Sequence, residues 1–257
     1  MTADGFPLWL LFAALVAGAG LALEGGYRFG RWRQAGTGAE KEAPVGAIAA
    51  SILGLFAFLL AFTFGTAAAR FEARRQVVLD EANAIGTTYL RARLLPEPQR
   101  AHSGALLREY VDVRVRGARD GNVTEAFARS EELHGRLWAD AVAAAEARPG
   151  PIAALYVQSL NNTIDLHAAR KQTAVRSRVP GVIWAGLLAL GALAMATVGY
   201  QSGLALTRRS PAMAGLILAF AGVLYMIADL DHPREGFLRV SQAAMTDLQE
   251  SMKADPG

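Results

Sequence analysis

The acidic residues in the segment 229–237 are the first candidates for chemistry. Asp229 and Asp231 lie one residue apart, and Glu235 follows shortly after them. Carboxylate oxygens are the ligands that a hard cation such as Ca²⁺ prefers, so these three residues are a candidate calcium site. The same carboxylates could instead pair with Arg234 or with basic residues of a neighbour, which would satisfy their charge at a membrane edge. The residue types leave both interpretations open.

A second candidate is an apolar face in the segment 55–66. Leu55, Phe58 and Phe62 recur at helical spacing and share one face of a helix. Around a symmetry axis, this face would form stacked apolar rings, a constriction that gates a pore by dewetting. The alternative is that the phenylalanines simply contact lipid or neighbouring helices. Three arginines follow the segment, and at a pore mouth they would raise the local anion concentration: Arg70, Arg74 and Arg75.

The sequence contains no pattern typical of an enzyme, and we expect a protein without catalytic activity. The absence of cysteine excludes disulfides and thiolate metal sites. The four histidines do not have the spacing of a metal motif, and there is no P-loop. His167 is expected at the surface or at a helix end. The net charge of +3 is too small to indicate nucleic-acid binding, and Ca²⁺ is the one cofactor that the residues suggest.

Four stretches without charged residues are each long enough to cross a membrane. The chain is 53% hydrophobic with a mean hydropathy of +0.23, and a helix of about 20 apolar residues spans the hydrocarbon core. The stretches are residues 5–23, 43–69, 179–207 and 210–228. The first helix is expected to end near Glu24, before an anchor of Tyr, Trp and Arg. The second meets no helix breaker before Pro96, which predicts a helix extending well beyond the bilayer.

The region between the second and third stretches predicts a bundle of helices. Proline and glycine at residues 96–98, 121 and 149–151 divide it, and apolar residues recur at helical spacing within each part. Asn122 and Glu125 have the spacing of a capping box. We therefore predict an all-α membrane protein with this organisation: transmembrane helices in 1–69, a helical extramembrane domain in 70–178, transmembrane helices in 179–228, and a tail with the acidic junction in 229–257.

The distribution of basic residues indicates which side the helical domain occupies. Four spans place both termini and the domain on the same side of the membrane. More Arg and Lys residues flank the domain than lie in the two short loops. By the positive-inside rule, the domain and the termini are expected to be cytoplasmic.

Several segments together resemble a bacterial membrane family called bestrophin-like. They occur in order at fitting distances along most of the chain: Leu60-Ala61-Phe62-Thr63-Phe64, Arg74-Arg75, Glu81-Ala82-Asn83-Ala84-Ile85-Gly86-Thr87, Asp165-Leu166-His167 with Arg170, and the segment 229–237. The resemblance implies a multi-pass protein of the bacterial inner membrane.

The resemblance also carries an expectation about function. Bestrophins are pentameric anion channels with four membrane helices per subunit and a pore neck lined by the second helix, and some bind Ca²⁺ after the fourth helix. By that resemblance Phe58 and Phe62 are neck candidates, and Asp229 and Asp231 are calcium candidates. We expect a homo-oligomeric, pentameric channel for inorganic anions in contact with membrane lipid. The alternative is a membrane sensor or scaffold whose helical domain binds a ligand or a partner protein.

Overall fold

The protein is helical throughout the residues that the structure describes. The computed structural model describes residues 8–36, 42–176, 179–206, 210–232 and 236–255, and contains no strand in these ranges. The helices are α1 (Leu8–Gln34), α2 (Glu42–Ala92), α3 (Gln99–Asp120), α4 (Val123–Ala147), α5 (Pro151–Arg176), α6 (Gly181–Leu204), α7 (Pro211–Asp231) and α8 (Ala243–Ala254). The predicted all-α fold is confirmed.

Four helices are long and apolar enough to cross a membrane. They are α1, the part Pro44–Ala92 of α2, α6 and α7, and they correspond to the four predicted stretches. Within each, 11% to 33% of the most apolar window is buried by the rest of the chain. Most of their surface is therefore left for lipid or for other subunits. At 51 residues, α2 is about 76 Å long, whereas a hydrocarbon core is about 30 Å thick. The predicted extension of this helix beyond the bilayer is confirmed by its length.

The chain divides into two units. The spanning unit is Met1–Phe71 with Arg178–Arg239, and the helical unit is Glu72–Ser177 with Val240–Gly257. The sequence-based division placed all of 229–257 in a separate tail, and the structure corrects it. Met245 and Met252 of α8 are 0% and 3% exposed and belong to the core of the helical unit. Arg93 and Arg108 also bond to Asp255.

In the spanning unit, α1 and α6 pack backbone against backbone. A Cβ atom added at Gly26 would lie 1.9 Å from the carbonyl oxygen of Ala196, and one added at Gly199 would lie 2.0 Å from that of Leu23. Gly30 and Gly203 make equally close approaches. Each helix thus carries a glycine pair four residues apart, the small-residue pattern by which membrane helices approach closely.

This glycine contact explains why α1 is longer than predicted. The sequence indicated an end near Glu24, where the uncharged stretch stops before the anchor of Tyr, Trp and Arg. The structure continues α1 to Gln34, and Glu24 instead pairs with Arg28 across one turn at 2.7 Å. Packing against α6 overrides the local preference.

The helical unit is built around a core that takes side chains from five helices. Its fully buried members include one residue from each helix: Ile85 (α2), Tyr110 (α3), Leu133 (α4), Tyr156 (α5) and Met245 (α8). The breakers at 96–98, 121 and 149–150 fall between the helices, as predicted, and Pro151 is the first residue of α5. The capping box is wrong: the side chain of Asn122 makes no capping bond and instead bonds to the carboxylate of Glu125.

Candidate functional site

The predicted pore residues lie on the face of α2 that the chain itself leaves uncovered. Leu55, Phe58 and Phe62 are 52%, 66% and 69% exposed. On the opposite face, Phe56 and Leu60 are 1% and 3% exposed and pack in the core of the spanning unit. The structure therefore brings the three residues together on one apolar surface that the described residues leave exposed.

The three arginines of the predicted pore mouth have different environments. Arg75 is exposed, with 60% of its side chain accessible, and pairs with Glu72 at 3.3 Å. Arg70 is half-buried and Arg74 is buried at 7% exposure. Arg75 is thus the most exposed of the three arginines.

The two aspartates at the end of α7 accept hydrogen bonds from backbone amides. Asp229 accepts hydrogen bonds from the N–H groups of Phe237 and Leu238 at 2.8 and 3.0 Å. Its carboxylate lies against Gly236, where an added Cβ atom would be 2.0 Å from Oδ1, so a larger residue there would displace the carboxylate. Asp229 therefore links the end of α7 to residues 237 and 238.

Asp231 has a similar role at the start of α6. Its Oδ1 accepts the N–H of Val179 at 2.8 Å, and both aspartates are at most 4% exposed. These contacts are neither the cation nor the arginine pair that the sequence suggested. Glu235 and Arg234 lie outside the described residues. Among the residues that are described, no three acidic or histidine side chains form a metal-binding group, and the calcium site stays a prediction.

A buried ionic cluster in the helical unit was not assigned from the sequence. Its centre is Glu81, which is 0% exposed. Arg170 donates a hydrogen bond to this carboxylate, the hydroxyl of Tyr110 donates another at 2.8 Å, and Nε of Arg114 lies 3.4 Å away. Arg170 also donates to Gln242, which precedes α8, at 2.8 Å. A carboxylate excluded from water requires such compensation by positive charges and donors, so the cluster ties α2, α3, α5 and the segment before α8 together.

Two buried histidines adjoin this ionic cluster. The rings of His134 and His167 meet edge to face with centroids 4.8 Å apart, and Nδ1 of His167 lies 3.2 Å from the hydroxyl of Tyr110. Burial lowers the pKa of each imidazole to about 4, so both are neutral near pH 7. His167 is 3% exposed, and the expectation of a surface or helix-end role for it was wrong.

One sequence signal would have revealed the cluster. Glu81 lies at helical spacing among Val78, Ala82 and Ile85, and all four are buried. A charged residue on an otherwise apolar face is either paired in the interior or placed on a surface. Its partners could not be named, because Arg170 is 89 residues away in the chain.

Comparison with known proteins agrees with the resemblance noted from the sequence. The model of the bestrophin-like domain family matches residues 5–245, which include all four apolar helices and the buried ionic cluster. Neither the curated proteins nor the solved structures gave a match. Since the family model covers nearly the whole chain, the protein belongs to the bestrophin-like domain family.

Proposed function

We propose that the protein is a subunit of an oligomeric channel that conducts inorganic anions through a pore lined by α2. The observation that carries the proposal is the uncovered apolar face of Leu55, Phe58 and Phe62. Membership of the bestrophin-like family supports it, because the bestrophins are anion channels. By the same resemblance, the assembly is a pentamer.

The chemistry of α2 suits a gated pathway for anions. Rings of leucine and phenylalanine offer an ion no replacement for its hydration water, so a narrow apolar neck opposes conduction until it widens. Beyond the apolar segment, the exposed guanidinium of Arg75 attracts anions toward the pathway. In this proposal the neck sets the barrier to conduction, and the arginine favours anions over cations.

The first test is the assembly state, followed by recordings in planar bilayers. Native mass measurement of the protein in nanodiscs should give a closed ring of five subunits. In a chloride gradient, the reversal potential should lie near the chloride equilibrium potential. A monomer, or a ring without conductance under any gradient, would contradict the proposal.

Substitutions on α2 test the position of the neck. Phe58→Ala and Phe62→Ala should increase single-channel conductance, because each smaller side chain widens the apolar constriction. The matched control is Leu21→Ala, which truncates a 74% exposed apolar residue of α1 and should leave conductance unchanged. Equal effects of all three variants would mean that the phenylalanines only face lipid.

The cytoplasmic orientation of the helical unit is part of the proposal. The chain has no cysteine, so Ala139→Cys, at an exposed position of α4, introduces a single thiol. In cells, a membrane-impermeant maleimide should label this thiol only after the inner membrane is permeabilised. Labelling of intact spheroplasts would place the unit on the outer side.

Calcium control is a separate proposal with its own test. The carboxylates of Asp229 and Asp231 accept one or two amide hydrogens each, and carboxylates have about four acceptor positions. A Ca²⁺ ion could therefore share them with Glu235. Calorimetric titration with Ca²⁺ should show binding that is lost in Asp231→Asn. If titration of the unmodified protein with Ca²⁺ produces no heat of binding, the proposed calcium site is wrong.

A membrane sensor or scaffold is the second candidate, favoured by a groove in the helical unit. The groove has a volume of about 640 Å³ and lies between α2 and α5. Its lining is mostly polar and includes Asp80, Asn83, Thr87, Gln158 and Asn162. Such a surface fits a small polar ligand. This function would be favoured if the protein shows no conductance and binds a small polar ligand, and if Asn83→Ala and Asn162→Ala abolish that binding.

A further inference from the structure

An apolar cavity lies among the four membrane helices of the spanning unit. Its volume is about 220 Å³, and residues of α1, α2, α6 and α7 line it. The lining residues are all apolar: Ala14, Leu15, Gly18, Ala19, Phe56, Leu187, Leu188, Gly191, Ala192, Met195, Phe220, Ala221 and Leu224. None of these side chains offers a hydrogen bond to a polar ligand. Water is therefore a poor occupant, since a buried water needs two to four polar partners.

Small residues create this cavity and open it to the exterior. Gly18 and Ala14 are exposed, and an ideal Cβ atom at Gly18 would meet no atom within 4 Å. Leu188, which is 46% exposed, also lies at this edge. Because the lining residues belong to apolar spanning helices, the medium outside the opening is the hydrocarbon of the bilayer.

We propose that the cavity binds an acyl chain of a membrane lipid. Its volume exceeds the roughly 150 Å³ at which an apolar protein cavity takes up a benzene-sized molecule. Hydrocarbon gains little from leaving other hydrocarbon, so the driving force is contact with cavity walls that otherwise lack partners. A flexible chain entering from the bilayer suits both the apolar lining and the open side.

The inner wall of the cavity is formed by Phe56, on the face of α2 opposite the uncovered one. Phe56 is 1% exposed, lies close against Gly191 and packs against Phe220 with ring centroids 4.9 Å apart. Leu55, its neighbour in the chain, belongs to the uncovered face. A bound acyl chain therefore contacts the helix proposed to line the pore. This link to conduction rests on the proposed function, whereas the binding site does not.

Photolabelling tests the site directly. The full-length protein is reconstituted in vesicles of phosphatidylethanolamine and phosphatidylglycerol that contain a phosphatidylcholine with a diazirine midway along one acyl chain. After irradiation, peptide mass spectrometry should find the label concentrated on residues that line the cavity. Label spread evenly over the exposed positions of all four helices would overturn the proposal.

Substitutions at the opening distinguish the cavity from the general lipid surface. Gly18→Leu should reduce labelling of the cavity about tenfold, because its side chain occupies the entrance, and tenfold corresponds to about 1.4 kcal/mol. Gly25→Leu is the matched control: Gly25 is exposed, has no atom near its Cβ position and does not line the cavity. Ala14→Leu obstructs the same entrance and serves if Gly18→Leu fails to fold. Unchanged labelling in both entrance variants would refute acyl-chain binding.

A second copy of the chain is the competing occupant of the opening. The introduced thiol of Gly18→Cys would then form cross-linked dimers with a short bifunctional maleimide, and the lipid label would be missing from the cavity. That result would overturn the proposal. Lipid labelling without cross-linking supports it, whether or not the protein conducts ions.

Discussion

Mild acid should destabilise the helical unit through its two buried histidines. The unfolded pKa of histidine is about 6.5, whereas burial lowers the pKa of His134 and of His167 to about 4 in the fold. Because the unfolded state binds a proton more readily than the fold, the free energy of unfolding is greatest above pH 6.5. It decreases as the pH falls toward 4. Between pH 7 and pH 5 the loss is about 2 kcal/mol per histidine, or about 4 kcal/mol for both.

Tryptophan fluorescence can report the unfolding of this unit alone. Trp138 is the one tryptophan of the helical unit, and the other three can be replaced by phenylalanine. Urea unfolding in detergent at pH 7, 6 and 5 then gives the free energy of unfolding at each pH. His134→Gln and His167→Gln should each remove about half of the pH dependence.

Two results would refute this reasoning. If the free energy of unfolding is the same at pH 7 and pH 5, the histidines are not held neutral by burial. If the dependence persists in the double variant of His134 and His167, other groups cause it. Since whole domains are typically stable by 5–15 kcal/mol, a loss of about 4 kcal/mol is readily measurable.

Three further substitutions test the packing and the buried charges. Gly199→Ala places a Cβ atom 2.0 Å from a carbonyl oxygen of α1 and should destabilise the protein by about 1–3 kcal/mol in thermal unfolding. The control Gly186→Ala, which has open space around its Cβ position, should be neutral in the same assay. Asp231→Ala removes the acceptor of the buried amide before α6 and should cost about 1–3 kcal/mol, with faster hydrogen exchange at that amide. Arg170→Ala leaves Glu81 buried without its principal partner and should cost about 3–5 kcal/mol in urea unfolding; if adding Glu81→Gln restores none of it, the ionic explanation fails.

The membrane helices and the divisions of the helical unit could be predicted from the sequence because their signals are local. Long runs without charge identify α1, α2, α6 and α7, and prolines or glycines end the intervening helices. The apolar face of Leu55, Phe58 and Phe62 was also predictable, since helical spacing alone places these residues together. The structure adds that the chain leaves this face uncovered.

The features that were missed depend on contacts between distant parts of the chain. The continuation of α1 beyond Glu24 depends on glycines of α6. The residues around Glu24 do not reveal that these glycines pack against them. The amide partners of Asp229 and Asp231 could not be foreseen, because a backbone N–H has no residue signature. The ionic cluster joins Glu81 to residues up to 161 positions further along the chain, as the Arg170–Gln242 bond shows.

The position of α8 constrains the order in which the molecule is made. Synthesis proceeds from the N-terminus, and domains generally fold as units once their chain is available. The core of the helical unit includes Met245 and Met252, so it lacks two of its side chains until translation has passed α7. All four membrane helices are therefore synthesised before this core is complete. During that interval, the apolar side chains that α8 later covers lack part of their packing partners.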